Sequence, residues 1–266
     1  MILVKVGGGK TINWDFIAED IKSLQKKEEI ILVHGASVKR DEIAKKLGSP
    51  TKTVISPSGI SSVYTDEKAL EIFLMVYSGL VNKQIVATLL KHGVNAVGLS
   101  GVDGKLWQAK AKKELMIQEG KKVKLIKDNR TGRVEKINTK LMKILLKNNF
   151  VPVISAPAIS YENDIVNTDN DWAAAVTAGS LQVKKLVYLF EAPGLLKNYK
   201  DESTLIKKIQ KTKLSEYLQY AQGRMKKKLL GVQKALELGV SHIYWGDGRI
   251  KNPLTSVLLG KGTIIN

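Results

Sequence analysis

The chain opens on an uninterrupted apolar run, Ile2-Leu3-Val4, and then turns through Gly7-Gly8-Gly9. A short, partly β-branched run bounded by glycine predicts a buried strand. From Trp14, apolar residues recur at helical spacing (Phe16, Ile17, Ile21, Leu24), so a helix follows. Residues 29–34 repeat the strand pattern and end in His34-Gly35-Ala36-Ser37. Residues 41–47 predict a short helix, stopped by Gly48 and Pro50. Strand, turn, helix, strand, turn, helix implies a parallel pair with a right-handed crossover. Both turns then lie beyond the strand C-termini, where open α/β sheets bind ligands.

Further along, Thr65 or Asp66 caps a long helix. Leu70, Phe73, Leu74, Tyr77, Leu80, Val81, Ile85, Leu89 and Leu90 keep helical period until Gly93. Such a helix is core, a dimer seam, or both. Strands are expected at 95–100, 150–155, 186–190, 241–245 and 263–265, and a small hairpin at 159–166 about Asn163-Asp164. Helices are expected at 139–146, 206–218, 225–238 and 254–259, and an alanine-rich one at 173–178, preceded by Asn167-Thr168-Asp169-Asn170-Asp171-Trp172. The pattern defines an α/β protein. No apolar run approaches the roughly 20 residues of a membrane span, and the opening residues do not read as a signal peptide.

Charge changes this picture. The 266 residues hold 43 Lys plus Arg against 25 Asp plus Glu, a net charge of +18. The arginines are Arg40, Arg130, Arg133, Arg224 and Arg249; every other basic residue is lysine. A field of that sign favours an acidic partner. A nucleic-acid partner is not expected, because no docking motif accompanies the charge. The excess concentrates between Lys105 and Lys136, with eleven basic residues facing four acidic ones. Leu115, Ile117, Val123 and Leu125 alternate around Glu119-Gly120 there, predicting a hairpin with lysine-rich flanks. That hairpin reads equally as a solvated edge that resists aggregation or as a docking surface. Cysteine is absent, and His34, His92 and His242 form no ligand motif, so no structural zinc is expected. A cytoplasmic location is the default expectation.

Three stretches carry candidate chemistry. Lys5 with Gly7 and Gly8 forms a turn where backbone amides can meet phosphate. It fails the P-loop spacing, because the first glycine of that motif would fall on Val4. Asp169 and Asp171 sit where a helix N-terminus stabilises carboxylates and where a carboxylate could face phosphate. Arg224-Met225-Lys226-Lys227-Lys228 places cations at a helix N-terminus, against the helix dipole, which favours an anionic ligand there.

Taken together, these segments resemble the amino-acid kinase family along the whole chain. The resemblance rests on Val4-Lys5-Val6-Gly7-Gly8, His34-Gly35, Tyr64-Thr65-Asp66-Glu67 and Leu80-Val81-Asn82-Lys83. It rests further on residues 96–104, Thr131-Gly132, Asn167 with Asp171, and residues 223–228. The branch most resembled is the archaeal kinases of carrier-protein-bound aminoadipate and glutamate, relatives of N-acetylglutamate kinase. The resemblance implies a three-layer α-β-α sandwich with a mostly parallel sheet. Residues 1–165 would form an acceptor-binding lobe and residues 166–266 an ATP-binding lobe. It implies transfer of the γ-phosphoryl group from ATP, with Mg²⁺, to a side-chain carboxylate. Lys5 and Lys228 would flank the transferred group and Asp171 would hold both lysines. Gly35, Ala36 and Asn167 would bind the acceptor. Gly7, Gly8, Gly194, Gly223 and Met225 would bind phosphate and nucleotide, with Gly7, Gly8 and Gly35 offering backbone N–H groups. The partner implied is the small, strongly acidic carrier protein LysW, docked on residues 105–136, and a homodimer is expected.

The chain departs from that pattern in four places. Ala36 stands where a third glycine is usual, and Val63 where an arginine is usual. Phe190-Glu191 replaces a Thr-Asp pair, and Asn170 replaces a glycine before Asp171. Two alternatives remain open at this point: a kinase of free N-acetylglutamate, and a weakly active or regulatory paralogue.

Overall fold

A computed structural model describes residues 1–120, 122–220 and 224–266, without the side chains of residues 218, 219 and 224–226. The first part of the chain forms β1 (Ile2–Val6), α1 (Trp14–Leu24), β2 (Ile30–His34), α2 (Ser37–Lys46), β3 (Thr53–Ile55) and β4 (Ser61–Val63). One continuous helix follows: α3 (Glu67–Phe73), a π-helical stretch (Leu74–Val81) and α4 (Asn82–Lys91). Then come β5 (Ala96–Gly101), β6 (Trp107–Lys112), β7 (Leu115–Glu119), β8 (Lys122–Ile126), β9 (Thr131–Ile137), α5 (Thr139–Lys147), β10 (Val151–Ser160) and β11 (Ile165–Val166). The chain closes with α6 (Asn170–Ser180), β12 (Lys185–Phe190), β13 (Lys208–Ile209), α7 (Arg224–Glu237), β14 (His242–Asp247), α8 (Pro253–Leu258) and β15 (Thr263–Ile265).

The main sheet runs β13-β15-β14-β12-β1-β2-β10-β6-β9, and β5 and β11 also pair with β10. Its centre is parallel: β1 lies between β2 and β12, with Lys5 beside Val33 and Tyr188. Antiparallel pairing is confined to β14/β15, β6/β9 and β10/β11. The central strands lack alternation because both faces are covered. Ile2, Val4 and Val6 join a core with Ile17 and Ile21 of α1, Ile85 and Leu89 of α4, and Leu254 and Val257 of α8. Leu3 joins the opposite core with Met142 of α5, residues 173–176 of α6 and Leu229 and Val232 of α7. Helix, sheet, helix is the three-layer sandwich expected.

Several boundaries differ from the pattern. α2 begins at Ser37, straight out of the glycine turn, because Arg40 N–H already bonds Ala36 O. β10 continues past residue 155 through Pro157 to Ser160, since its second half pairs with β6 and β11. The helix expected at 206–218 is instead β13, paired to β15, followed by 3₁₀ turns over Lys211–Tyr220. Ile209 is buried by strand pairing there, so its apolar character served the sheet. Residues 105–136 form two pairs: β6/β9 extends the main sheet, and β7/β8 is the hairpin about Glu119-Gly120. Finally, Glu67–Lys91 does reach the length and composition of a membrane span. Its Ile72, Phe73, Val76, Tyr77, Ile85 and Leu89 are buried inside the protein.

Candidate active site

Three charged side chains meet at the C-terminal end of β1, each delivered by its element. Strand alternation turns Lys5, like Leu3, toward the face covered by α6 and α7. Asp169 caps α6, accepting from the N–H groups of Asp171 (2.9 Å) and Trp172 (3.0 Å). Asp171 therefore sits in the first helical turn, buried at the positive end of the helix. α7 crosses α6 at Gly231, where an added Cβ would lie 3.1 Å from Asp171 O. Lys228, one turn earlier on the same helix face, is thereby brought onto Asp171.

Lys5 Nζ lies 2.5 Å from Asp171 Oδ1, and Lys228 Nζ lies 3.2 Å from Oδ2 and 3.4 Å from Oδ1. Tyr188 Oη donates to Asp171 O at 3.2 Å, and Lys228 Nζ sits 5.5 Å from the Phe190 ring centre. Burial alone would raise the Asp171 carboxyl pKa; the charges of Lys228 and Lys5 overcome it and hold the group far below the usual range. Lys5 is also desolvated, yet its close bond to Asp171 keeps its pKa above the ordinary lysine value. Lys228 fares differently. Burial, with Lys5 repelling it and Asp171 only partly compensating, lowers it to about 8. One carboxylate thus serves two cations, and a net positive charge faces the strand ends.

The two glycine turns pack against each other. A Cβ on Gly8 would come within 2.4 Å of Ser37 N, and one on Gly35 within 2.9 Å of Gly8 N. These are the close approaches for which the residues must be glycine. The expectation that Gly7 and Gly35 present free amides is not met. Gly7 N–H donates to Leu189 O and Gly35 N–H to Val6 O, because both residues still complete the parallel ladder. Gly194 makes room for Thr263 Oγ1, 2.4 Å from where its Cβ would stand, so its contact is internal packing. Gly223 and the side chain of Met225 lie outside the described residues.

Asn167 links the start of the α6 segment to the loop before α3. Its Nδ2 donates to Thr65 Oγ1 at 3.0 Å, while its buried Oδ1 has no partner among the described residues. Thr168 Oγ1 beside it is likewise buried and unpartnered. Ala36 is buried in a small third core with Phe73, Val76, Tyr77 and Ala156.

Sequence reasoning missed two groups. Glu191 Oε1 accepts from Thr11 N–H (2.7 Å) and Thr11 Oγ1 (2.6 Å), tying the glycine loop to the end of β12. Its departure from Thr-Asp was visible, but the bond that explains it was not. His34 accepts from Asn82 Nδ2 at Nε2 (3.0 Å), which leaves its proton on Nδ1, 3.3 Å from Gly35 O. Burial, reinforced by the charges of Lys5 and Lys83, lowers its pKa to about 4, so the ring is neutral. Lys83 completes this network through Asn82 Oδ1 and Gly98 O, both at 3.2 Å.

A sandwich with two lysines and one organising carboxylate at its strand ends defines an ATP-dependent phosphotransferase. Comparison with known proteins agrees. Residues 1–244 match the amino acid kinase family, and the chain belongs to that family. It is 44% identical to the [LysW]-aminoadipate kinase of Thermus thermophilus over the whole of both chains. It is 45% identical to the [LysW]-aminoadipate kinase of Deinococcus radiodurans, across all of this chain and 91% of that one. Among solved structures, an N-acetylglutamate synthase from Neisseria gonorrhoeae superposes with a TM-score of 0.78 at 24% identity, over 99% of this chain and 58% of that one.

Proposed function

We propose that this enzyme phosphorylates the side-chain carboxylate of 2-aminoadipate or glutamate linked through its amino group to an acidic LysW-type carrier, in lysine or arginine biosynthesis. A carboxylate oxygen attacks the γ-phosphorus, the bond to the β-bridging oxygen breaks, and ADP leaves with its electron pair. The nucleophile has no proton to lose, so no general base is required. The observation that carries the reading is the buried Lys5–Asp171–Lys228 triad with a basic surface rooted beside it. Lys5 neutralises charge on the acceptor side, Lys228 on the leaving side, and Asp171 fixes both ammonium groups in line. Residues 1–165 take the acceptor and residues 166–266 the nucleotide.

Mg²⁺ fits this site as part of the nucleotide. Among the described residues no group of three His, Asp or Glu is placed to hold a metal, and Asp171 is engaged by two lysines. Held mainly by phosphates and water, Mg²⁺ would ask little of the chain and would supply charge neutralisation at the transferred phosphate.

Carrier docking on residues 105–136 is supported by exposure and position. Lys110, Lys112, Lys113, Lys122, Lys124 and Lys127 are all exposed. So are Met116, Val123 and Leu125 on the same hairpin. The root of this surface is at the site itself: Gly132 N–H donates to Asn167 O. Lys121 lies outside the described residues. A homodimer would use the helix through Glu67–Lys91, whose Met75, Leu80 and Leu90 are exposed. A cytoplasmic location is consistent with a reaction that draws on ATP and a carrier-bound substrate.

The test is ADP release with carrier-linked aminoadipate, carrier-linked glutamate and free N-acetylglutamate. Turnover confined to a carrier-linked substrate is expected. Equal turnover of the free substrate would overturn the carrier assignment.

A further inference from the structure

The proposed substrate has three functional ends. Its amino group is consumed by the carrier and its side-chain carboxylate receives phosphate. The α-carboxylate remains charged and must be desolvated inside the acceptor pocket, which requires a buried cation. Lys5 and Lys228 are already committed to Asp171.

The first lobe holds one buried guanidinium. Arg40 is only 5% exposed, on the first turns of α2, with its guanidinium carbon 4.9 Å from the Phe73 ring centre. It lines a cavity of about 50 Å³ together with Thr51, Lys52, Val63, Tyr64 and Asp66. That volume suits a carboxylate, whose two oxygens match the planar fork of an arginine. The segment forming one wall also joins the acceptor side: Thr65 Oγ1 accepts from Asn167 Nδ2. The helix forming the other wall leaves directly from Gly35 and Ala36.

Arg40 is incompletely satisfied. Its Nε (3.0 Å) and Nη2 (2.6 Å) both donate to one oxygen, Asp41 Oδ1, which also accepts from Thr51 Oγ1 at 2.6 Å. Three donors crowd a single acceptor on a side chain that is 42% exposed. Two of five guanidinium N–H groups are used in this way, so the fork retains donors for a second anion.

We propose that Arg40 is the specificity-determining residue for the acceptor α-carboxylate, held ready by Phe73 and Asp41 until that carboxylate arrives. The inference rests on the acceptor proposed above. It is tested by calorimetry without turnover, using N-acetyl-2-aminoadipate and its α-carboxamide as probes. The wild type should prefer the carboxylate by roughly two orders of magnitude. Arg40→Met should bind both probes alike, Arg40→Lys should fall between, and Lys45→Met, an exposed cation of α2 outside the cavity, should keep the preference. Loss of discrimination is a readout that a merely structural arginine would not move. If Arg40→Met keeps the preference, or the wild type shows none or binds neither probe, the assignment is overturned. If discrimination behaves as expected while carrier-linked substrates are not turned over, the reaction reading fails and Arg40 stands.

Discussion

Two sets of lysines in this molecule live under opposite conditions. Lys5 and Lys228 are buried against a single carboxylate within 2.5–3.4 Å. The lysines of β6–β9 are exposed, and Lys113 finds only Asp164 at 3.7 Å. In the first set, low local dielectric makes each charge strong and almost insensitive to salt. In the second, each charge is weak by itself and screened beyond about 8–10 Å, but the sum reaches into solvent. In the function proposed here the same residue type serves chemistry in one place and recruitment in the other, and burial separates the two roles.

The largest effect should come from the buried set. Asp171→Asn or Lys228→Ala should lower kcat by about 10²–10³-fold or more, at any ionic strength, because preorganised charge is lost at the transferred group. Steady-state kinetics at two salt concentrations checks this, and a salt-dependent loss would blur the distinction. Smaller is the effect of neutralising Lys112, Lys113, Lys122 and Lys124 together. KM for the carrier-linked substrate should rise roughly tenfold at low salt, and the difference from wild type should vanish near 0.5 M salt. A KM that does not move removes the hairpin from docking.

pH sharpens the contrast further. Lys228, lowered to about 8 by burial and by Lys5, loses its proton near that pH. The kcat/KM for ATP should fall as pH rises through about 8, and the limb should disappear in Lys228→Arg. Stability runs the other way over that range. An unfolded lysine holds its proton to about 10.5, so between 8 and 10.5 the unfolded state binds more protons and this group makes the fold more stable with rising pH. The smallest effect belongs to His34. Unfolded, it protonates below about 6.5, but folded only near 4, so acidification through that window costs stability. Thermal melts from pH 7 to 4 should show this loss diminished in His34→Gln.

Much of this was legible in the sequence. Glycine after an apolar run fixed where β1 and β2 end, and cap residues before an alanine helix located Asp171. The cation run 224–228 at a helix start marked an anion site, and the family resemblance singled out Lys228 within it. What was not legible depended on partners distant in the chain. Glu191 gained meaning only from Thr11, 180 residues away. Arg40 drew no attention in the sequence, one residue ahead of the helix expected at 41–47; its place against Phe73 and beside Val63 exists only in the fold. The helix expected at 206–218 failed because β15, at the far end of the chain, claimed Ile209. The free amides expected at Gly7 and Gly35 failed because the parallel ladder continues onto the first glycine after each strand.

The π-helical stretch has an evolutionary consequence. From α3 into the π-helical stretch the buried positions are Ile72, Phe73, Val76 and Tyr77; after Tyr77 the next buried residue is Asn82, then Ile85 and Leu89. The step from 77 to 82 is five residues where a regular helix repeats in three or four. The rod thus carries a phase slip of one residue. Phe73 faces the cluster under Arg40, while Asn82 faces His34 and Ile85 faces the main sheet. Deleting one residue between Leu74 and Val81 would let the stretch rewind as regular α-helix, with the step from Tyr77 to Asn82 shortened to four residues and both still on one face. Asn82 would still meet His34, and Ile85 the core. The wide turn is where this rod absorbs an extra residue without turning its second half away. Lineages of this fold can gain or lose one residue here far more easily than in the regular turns on either side.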